Sequence, residues 1–131
     1  MTALEVEILG GGAATPNDEL ERLCAHALVT AGITDGHVAI EFVDEDRIRE
    51  LNRRHRGRDQ STDVLSFGID GTGPVPGPRE LGDIVICPAR TEDICEAVIH
   101  GALHLAGMDH ETDSGEMLAL QQELLRSQAR P

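Results

Sequence analysis

The sequence predicts an α+β fold, in which one mixed sheet of about four strands is flanked by helices within a single domain. Short segments with the two-residue alternation of strands are interspersed with longer segments that have the apolar spacing of helices. Their order, βαβαββαα, is typical of such a mixed architecture. The chain has 131 residues, 40% of them apolar, which is enough for one core, so we expect residues 1–131 to form one domain.

The first half of the chain predicts two strand–helix pairs. Apolar and acidic residues alternate over 4–9, which is typical of a half-buried strand. Asn17 or Asp18 can cap the first helix and Asp44 the second, because these side chains accept hydrogen bonds from free backbone N–H groups. The predicted elements are strand 4–9, a helix from the first cap to about residue 30, strand 37–43, and a helix from the second cap to about residue 55.

The second half predicts two strands, a loop between them and two helices. The loop, 71–78, holds three Pro and three Gly residues, which break regular structure. Gly107 stands where a left-handed residue commonly ends a helix. The predicted elements are strands 62–67 and 82–87, a helix from Thr91 to about Ala106, and a last helix that opens at Ser114.

The charge of the chain is unevenly distributed. A net charge of −13 argues against general nucleic-acid binding, because Lys and Arg supply the contacts to phosphates. All eleven basic residues are Arg, and residues 47–58, here called the arginine segment, contain six Arg and one Glu for a net +5, so the rest carries −18. The segment is either a solvated helix end, where cations are favourable, or a local phosphate-binding patch. Its members are Arg47, Arg49, Arg53, Arg54, Arg56 and Arg58.

Nothing in the sequence indicates export or membrane insertion. No apolar run approaches the roughly 18–20 residues of a membrane span, and residues 1–12 lack the basic start and apolar stretch of a secretory signal. Cys24, Cys87 and Cys95 have no C-x-x-C spacing, and their odd number favours reduced thiols over a disulfide framework. We therefore expect a cytoplasmic protein.

The segment that carries chemistry is residues 100–110, HGALHLAGMDH. His100 and His104 are four residues apart on the predicted helix, so they share one face near its end. Gly107 allows the chain to reverse, so that His110 can return as a third metal ligand. Three imidazoles leave the fourth position of a tetrahedral zinc site open, which is the pattern of catalytic sites. Such a metal lowers the pKa of bound water to about 7 and polarises a phosphoryl or carbonyl oxygen.

Metzincin proteases share this histidine spacing, in the motif HExxHxxGxxH, where the Glu after the first His is the general base. Here that position is Gly101, which has no side chain to move a proton. The sequence therefore disfavours peptide hydrolysis by that mechanism. No carboxylate in the predicted helix stands out as a base in its place.

Residues 100–110 resemble the HGxLHLxGxDH signature of the YbeY family of bacterial rRNA maturation factors, which are zinc-dependent endoribonucleases. The likeness covers roughly residues 37–125. Beyond the histidine motif it includes 51–52, 55–57, Asp59, 62–67, 81–86 and 116–120.

The resemblance implies one zinc ion per chain, held by His100, His104 and His110, and matches Arg56 to a functionally important arginine of the family. It implies an endoribonuclease that cuts single-stranded RNA, in maturation of the 3′ end of small-subunit rRNA and in ribosome quality control. The implied partners are rRNA and the small ribosomal subunit with its proteins, and neither DNA nor a membrane.

Two other functions stay open at this point. One is a ribosome-assembly factor with a mainly structural zinc, for which Cys87 or Cys95 would have to supply a fourth ligand. The other is a zinc hydrolase of a different substrate. Asp83 and Asp109 either orient a histidine N–H as acceptors or have ordinary turn and cap roles.

Overall fold

The computed structural model describes residues 3–10, 15–70 and 77–128, and these form four strands and four α-helices. The predicted α+β class and the order of elements are confirmed, with strand ends within two residues of the predicted ones. Most of the predicted loop, 71–76, lies outside the described residues. The elements are β1 (Ala3–Leu9), α1 (Asn17–Thr30), β2 (Asp35–Phe42), α2 (Glu45–Arg56), β3 (Val64–Gly68), β4 (Glu80–Ile86), a 3-10 turn (Pro88–Arg90), α3 (Ile94–Leu105) and α4 (Glu116–Gln128).

The four strands form one mixed sheet in the order β1-β2-β4-β3. β1, β2 and β4 run parallel, whereas β3 pairs with β4 antiparallel, from Val64 opposite Ile86 to Gly68 opposite Gly82. His37 of β2 ties the parallel strands together, because its ring nitrogens lie 2.9 Å from the Glu80 carboxylate and 3.1 Å from that of Glu7. Its pKa is raised, chiefly by the hydrogen bond with Glu80.

The two faces of the sheet are covered unequally. On one face, α1, α3 and α4 enclose the main core, and α3 contacts α1, α4, β3 and β4. On the other face, α2 packs through Ile48 and Leu51 onto Leu65, Val85 and Cys87. Helix α3 is thus held from several sides, which makes it a rigid base for a functional site.

The starts of α1 and α3 differ from the prediction in their capping residues. α1 begins at Asn17 after Pro16, and no side chain forms a capping hydrogen bond there, so the expected cap at Asn17 or Asp18 is wrong. α3 begins at Ile94 instead of Thr91, because Thr91 follows the 3-10 turn in extended backbone and the Asp93 side chain accepts from the backbone N–H of Glu96 at 3.2 Å.

The starts of α2 and α4 are each held by the side chain of an aspartate. The predicted cap of α2 is confirmed, because the Asp44 side chain accepts from the N–H of Arg47 at 2.8 Å. α4 begins at Glu116, two residues after the expected opening. Its first turn is held by the Asp113 carboxylate, which accepts from the N–H groups of Gly115 at 2.8 Å and Met117 at 2.9 Å. Among the described residues, no helix is both long and apolar enough to cross a membrane.

Candidate metal centre

Three histidine rings converge where α3 ends. His100 and His104 project from one face of the helix, and His110 reaches them from the turn that follows. One ring nitrogen of each lies within 4.8 Å of the other two. The ring centroids are 4.7 to 5.3 Å apart, and all three side chains are half-buried. The predicted convergence at the end of a helix is confirmed.

This donor set fits a divalent metal ion. Zinc–nitrogen bonds are about 2.0–2.1 Å long, so small side-chain rotations would bring nitrogens at these separations onto one ion. A histidine must be neutral to offer a lone pair. The pKa of His104 is lowered, first by burial and then by the neighbouring His100, which favours the neutral ring.

The turn after α3 brings the third histidine back to the helix. Gly107 has φ +97, a left-handed conformation that disfavours residues with a side chain. Its N–H donates to the carbonyl of His104, and the N–H of Met108 donates to that of Leu103, both at 3.0 Å. This is the Schellman arrangement of helix ends, and the expected left-handed glycine is confirmed.

Two of the three rings have their tautomer fixed by carbonyl oxygens. Nδ1 of His104 lies 3.0 Å from the backbone carbonyl of Met108, and Nδ1 of His100 lies 2.8 Å from Oε1 of Gln121. A carbonyl oxygen only accepts, so each Nδ1 donates its proton. The remaining nitrogen of each ring, Nε2, therefore has a free lone pair.

Gln121 was not identified from the sequence. It comes from α4, is 5% exposed and is separated from His100 by 21 positions. A weak signal was present, because Gln121 interrupts the apolar stripe of this helix between Met117 and Leu124, both of which are buried. A polar residue at a core position indicates a hydrogen-bond partner inside the fold.

The two aspartates considered as partners of the histidines form no hydrogen bond with them among the described residues. The Asp109 carboxylate accepts from the N–H of Glu111 at 2.9 Å, so it has the turn role. Asp83 shares the opposite face of β4 with Val85, next to α2, and lines a second cavity. Its pKa is raised, mainly by burial. The prediction that Asp83 or Asp109 orients a histidine N–H is therefore wrong for both residues.

Gly101, directly after the first histidine, faces the sheet. A Cβ at this position would lie 2.5 Å from Cγ2 of Ile84 and 3.2 Å from Oγ of Ser66. The Ser66 hydroxyl also donates to the Gly101 carbonyl at 3.2 Å. A larger residue here would enter the sheet and would not face the histidines, which is why the metzincin glutamate has no counterpart.

The histidines line a cleft of about 800 Å³ that also contains Arg56 and Arg58. Arg56 is the last residue of α2, and Gly57, with φ +70, ends the helix and directs the chain along the cleft. Glu96, one turn before His100 on α3, lines the same cleft. This carboxylate was not singled out in the sequence.

The arginine segment divides into two parts. Three of its members form ion pairs with carboxylates, whereas Arg53, Arg56 and Arg58 form none within the described part of the chain. Of these three, Arg56 and Arg58 line the cleft. Positive charge is therefore available where the segment meets the cleft. The three ion pairs are Arg47 with Glu50 at 3.6 Å, Arg54 with Glu50 at 3.5 Å, and Arg49 with Asp59 at 2.8 Å.

Neither candidate thiol joins the histidines. Cys87 is buried on the sheet face covered by α2. Cys95 lies beside Thr15 and Glu19 at the start of α1, and burial raises its pKa. Within the described residues, the group of possible metal ligands consists of the three histidines alone.

The profile of a protein family described as Endoribonuclease YbeY matches residues 13–129. The chain belongs to the YbeY family. Among YbeY relatives, a protein of Rubrobacter xylanophilus named Endoribonuclease YbeY is 39% identical, over 92% of this chain and 90% of its own length. One of Bacillus cytotoxicus with the same name is also 39% identical, over 81% of this chain and 82% of the relative.

The fold of this YbeY family member is also similar to a solved structure. The solution structure of TM1509 from Thermotoga maritima superimposes with a TM-score of 0.56 and 30% sequence identity. The match covers 95% of this chain and 93% of that one. The family resemblance expected from residues 100–110 is thereby confirmed, and the shared architecture includes nearly all of the chain.

Proposed function

We propose that this YbeY family member is a metal-dependent endoribonuclease that cuts single-stranded RNA. The observation that carries the proposal is a single cleft with three convergent histidines and two arginines that form no ion pair among the described residues. Both relatives described above are named endoribonucleases. In this proposal residues 1–131 act as one domain, and His100, His104 and His110 hold one zinc ion.

The residues have distinct roles. When bound, the ion supplies Lewis-acid chemistry that stabilises negative charge on a phosphoryl oxygen. His100 and His104 present Nε2 because their Nδ1 atoms are engaged by carbonyls. Arg56 offers a planar fork of N–H donors that matches two oxygens of the scissile phosphate, and Arg58 extends the positive surface to a neighbouring phosphate.

The residues that line the cleft support the proposal that the substrate is a single strand. Carboxylates line it beside the arginines, so a phosphate finds positive charge only in a narrow region. The rigid and regularly spaced phosphates of a duplex would meet these carboxylates, whereas an unpaired strand can bend so that one phosphate reaches Arg56. The lining carboxylates are those of Asp63, Glu96, Asp109 and Glu111.

We further propose that the enzyme acts in the cytoplasm on ribosomal RNA, in maturation of the 3′ end of small-subunit rRNA and in ribosome quality control. The motif at residues 100–110 and its resemblance to rRNA maturation factors support this setting. The charge of −18 outside the arginine segment is suited to contacts with the basic proteins of the small ribosomal subunit. DNA and membranes are not proposed as partners.

The test combines metal content with RNA cleavage. Elemental analysis of purified protein should give about one zinc per chain, and zinc-loaded protein should cut a fluorescent single-stranded RNA. His104→Ala should lose both properties. His26→Ala is the matched control, because this histidine is exposed on α1 and lies outside the cleft.

Other outcomes separate the alternatives. Full zinc content without cleavage of any RNA would favour an assembly factor with a structural ion. Undiminished cleavage by His104→Ala would remove the three histidines from the mechanism. Hydrolysis of a non-RNA ester by zinc-loaded protein, with RNA left intact, would favour a hydrolase of another substrate.

A further inference from the structure

Packing alone does not explain the buried side-chain amide of Gln121, which lies next to the metal centre. Gln121 lies on the apolar face of α4, and its side chain is 5% exposed. Burial of an amide costs free energy unless its polar atoms are hydrogen-bonded, so leucine would satisfy the core at least as well. The Oε1 atom of Gln121 is 2.8 Å from Nδ1 of His100. The hydrogen bond to the histidine is therefore what this position provides.

We propose that Gln121 is a positioning residue that holds His100 in the tautomer able to bind metal. Its carbonyl oxygen has only lone pairs, so Nδ1 of His100 must carry the proton. Nε2 is then unprotonated and its lone pair is available to a metal ion. Acceptors of this kind orient metal-binding imidazoles and raise their basicity. The inference rests on the metal role proposed for His100.

The comparison with His104 shows why the residue identity matters at position 121. His104 donates to the backbone carbonyl of Met108, which is present whatever side chain stands there. His100 depends on a side chain from a different helix. The hydrogen bond therefore couples the docking of α4 on α3 to the geometry of the metal centre.

Three variants separate orientation from packing. Gln121→Leu keeps a similar volume and removes the acceptor, whereas Gln121→Glu keeps an oxygen acceptor in nearly the same place. Gln122→Leu makes the same chemical change at the next residue of α4, which is exposed. Melting curves of the metal-free proteins show which variants remain folded.

The first readout is the tautomer of His100 in metal-free protein. Nitrogen-15 to proton correlation spectra at pH ~8, where imidazoles are mostly neutral, should show the proton on Nδ1 of His100 in the wild type, Gln121→Glu and Gln122→Leu. Gln121→Leu should show the proton on Nε2 or an exchange between the two forms. A purely structural role for Gln121 would leave the tautomer unchanged.

The second readout is zinc affinity, measured by competition with a chromogenic chelator. Gln121→Leu should bind zinc about 10- to 100-fold more weakly, the range for lost partners of metal-binding histidines. Gln121→Glu and Gln122→Leu should bind as the wild type does. If Gln121→Leu does not fold, the wild-type tautomer and the zinc affinity of Gln121→Glu still decide the matter.

Two results would overturn the proposal. The proton on Nε2 of wild-type His100 would mean that the amide nitrogen faces the ring. Wild-type zinc affinity in folded Gln121→Leu would mean that orientation of His100 does not depend on Gln121. Failure of zinc-loaded wild type to cut RNA, with both readouts as expected, would instead refute the nuclease function and leave this inference standing.

Discussion

Gly101 shows how packing fixes a residue that borders a functional site. It follows His100 directly, yet the helix runs so close to the sheet there that a Cβ would lie 2.5 Å from Cγ2 of Ile84. Ile84 is fully buried, and this methyl group is attached to its Cβ, so it has little room to move. The glycine brings α3 against β3 and β4 and so sets the depth of the histidines in the cleft.

Gly101→Ala should destabilise the protein by about 1–2 kcal/mol, because overpacking a core typically costs 1–3 kcal/mol. Glycine to alanine within a helix otherwise stabilises by up to about 1 kcal/mol, so a net loss identifies the clash. Urea unfolding of metal-free protein measures the change. Gly68→Ala is the control, because a Cβ there meets nothing within 4 Å; a gain in stability for Gly101→Ala would contradict the explanation.

The split of the arginine segment leads to a prediction for Arg56. Arg56→Ala should lower the RNA cleavage rate about 100- to 1000-fold, the usual loss when a donor to developing charge is removed. Arg56→Lys should recover part of it, because an ammonium keeps the charge without the planar fork. Single-turnover cleavage with equal zinc loading measures both.

Arg53→Ala provides the matched control for Arg56. Arg53 lies on the last turn of the same helix and is exposed, but it does not line the cleft of the histidines. Its removal should leave the cleavage rate within a few-fold of the wild type. Equal losses of cleavage rate for Arg53→Ala and Arg56→Ala would mean that the arginines act as a diffuse electrostatic patch and that Arg56 has no positioned role.

For the helices and strands, the sequence predicted which elements form better than it predicted where each of them begins. Apolar spacing and the cap at Asp44 predicted α2 closely, because these signals act within a few residues. The predicted start of α3 was wrong, because the Thr91 hydroxyl donates to the Cys87 carbonyl at the end of a 3-10 turn and Asp93 caps the helix instead. The strand order and the approach of Gln121 to His100 depend on contacts distant in sequence, which local patterns do not encode.

The turn at Gly107 allows a test of how one element end supports the metal centre. Gly107→Ala should cost about 1–2 kcal/mol, because a side chain disfavours the left-handed conformation. It should also weaken zinc binding, because the turn carries the carbonyl that orients His104 and the loop to His110. Urea unfolding and chelator competition measure the two effects separately.

Gly32→Ala is a closely matched control for that turn. Gly32 ends α1 with φ +96 and the same pair of hydrogen bonds, from Gly32 to Val29 and from Ile33 to Leu28, both at 2.9 Å. The backbone strain should therefore be similar, and the zinc affinity should not change. Weakened zinc binding in both variants would show that general destabilisation, and not the turn at Gly107, is the cause.

For the whole molecule, charge and topology act together. The chain carries −13 overall, but the sheet order places the end of α2 next to β3 and the end of α3, so Arg56 and Arg58 meet the histidines. The sequence showed the cluster of arginines and the cluster of histidines separately. Which arginines face the cleft followed only from the fold: Arg56 and Arg58 line it, whereas Arg47, Arg49 and Arg54 are paired with carboxylates and Arg53 lies outside it.

This arrangement predicts a shallow salt dependence of RNA binding. Each phosphate contact on a single strand contributes about −0.7 to the slope of log K against log salt concentration, so two arginines should give a slope near −1.4. Fluorescence anisotropy with a short single-stranded RNA and metal-free protein measures it without cleavage. The double variant Arg56→Ala, Arg58→Ala should bring the slope close to zero.

The control for the salt measurement removes the same charge from the neutralised part of the segment. Arg49 and Arg54 are paired with Asp59 and Glu50, so the double variant Arg49→Ala, Arg54→Ala should keep a slope near the wild-type value. Both double variants reduce the net charge equally, so any difference between them reflects position. A steep wild-type slope that falls equally in the two would mean that RNA contacts the whole arginine segment and that the cleft has no special share in binding.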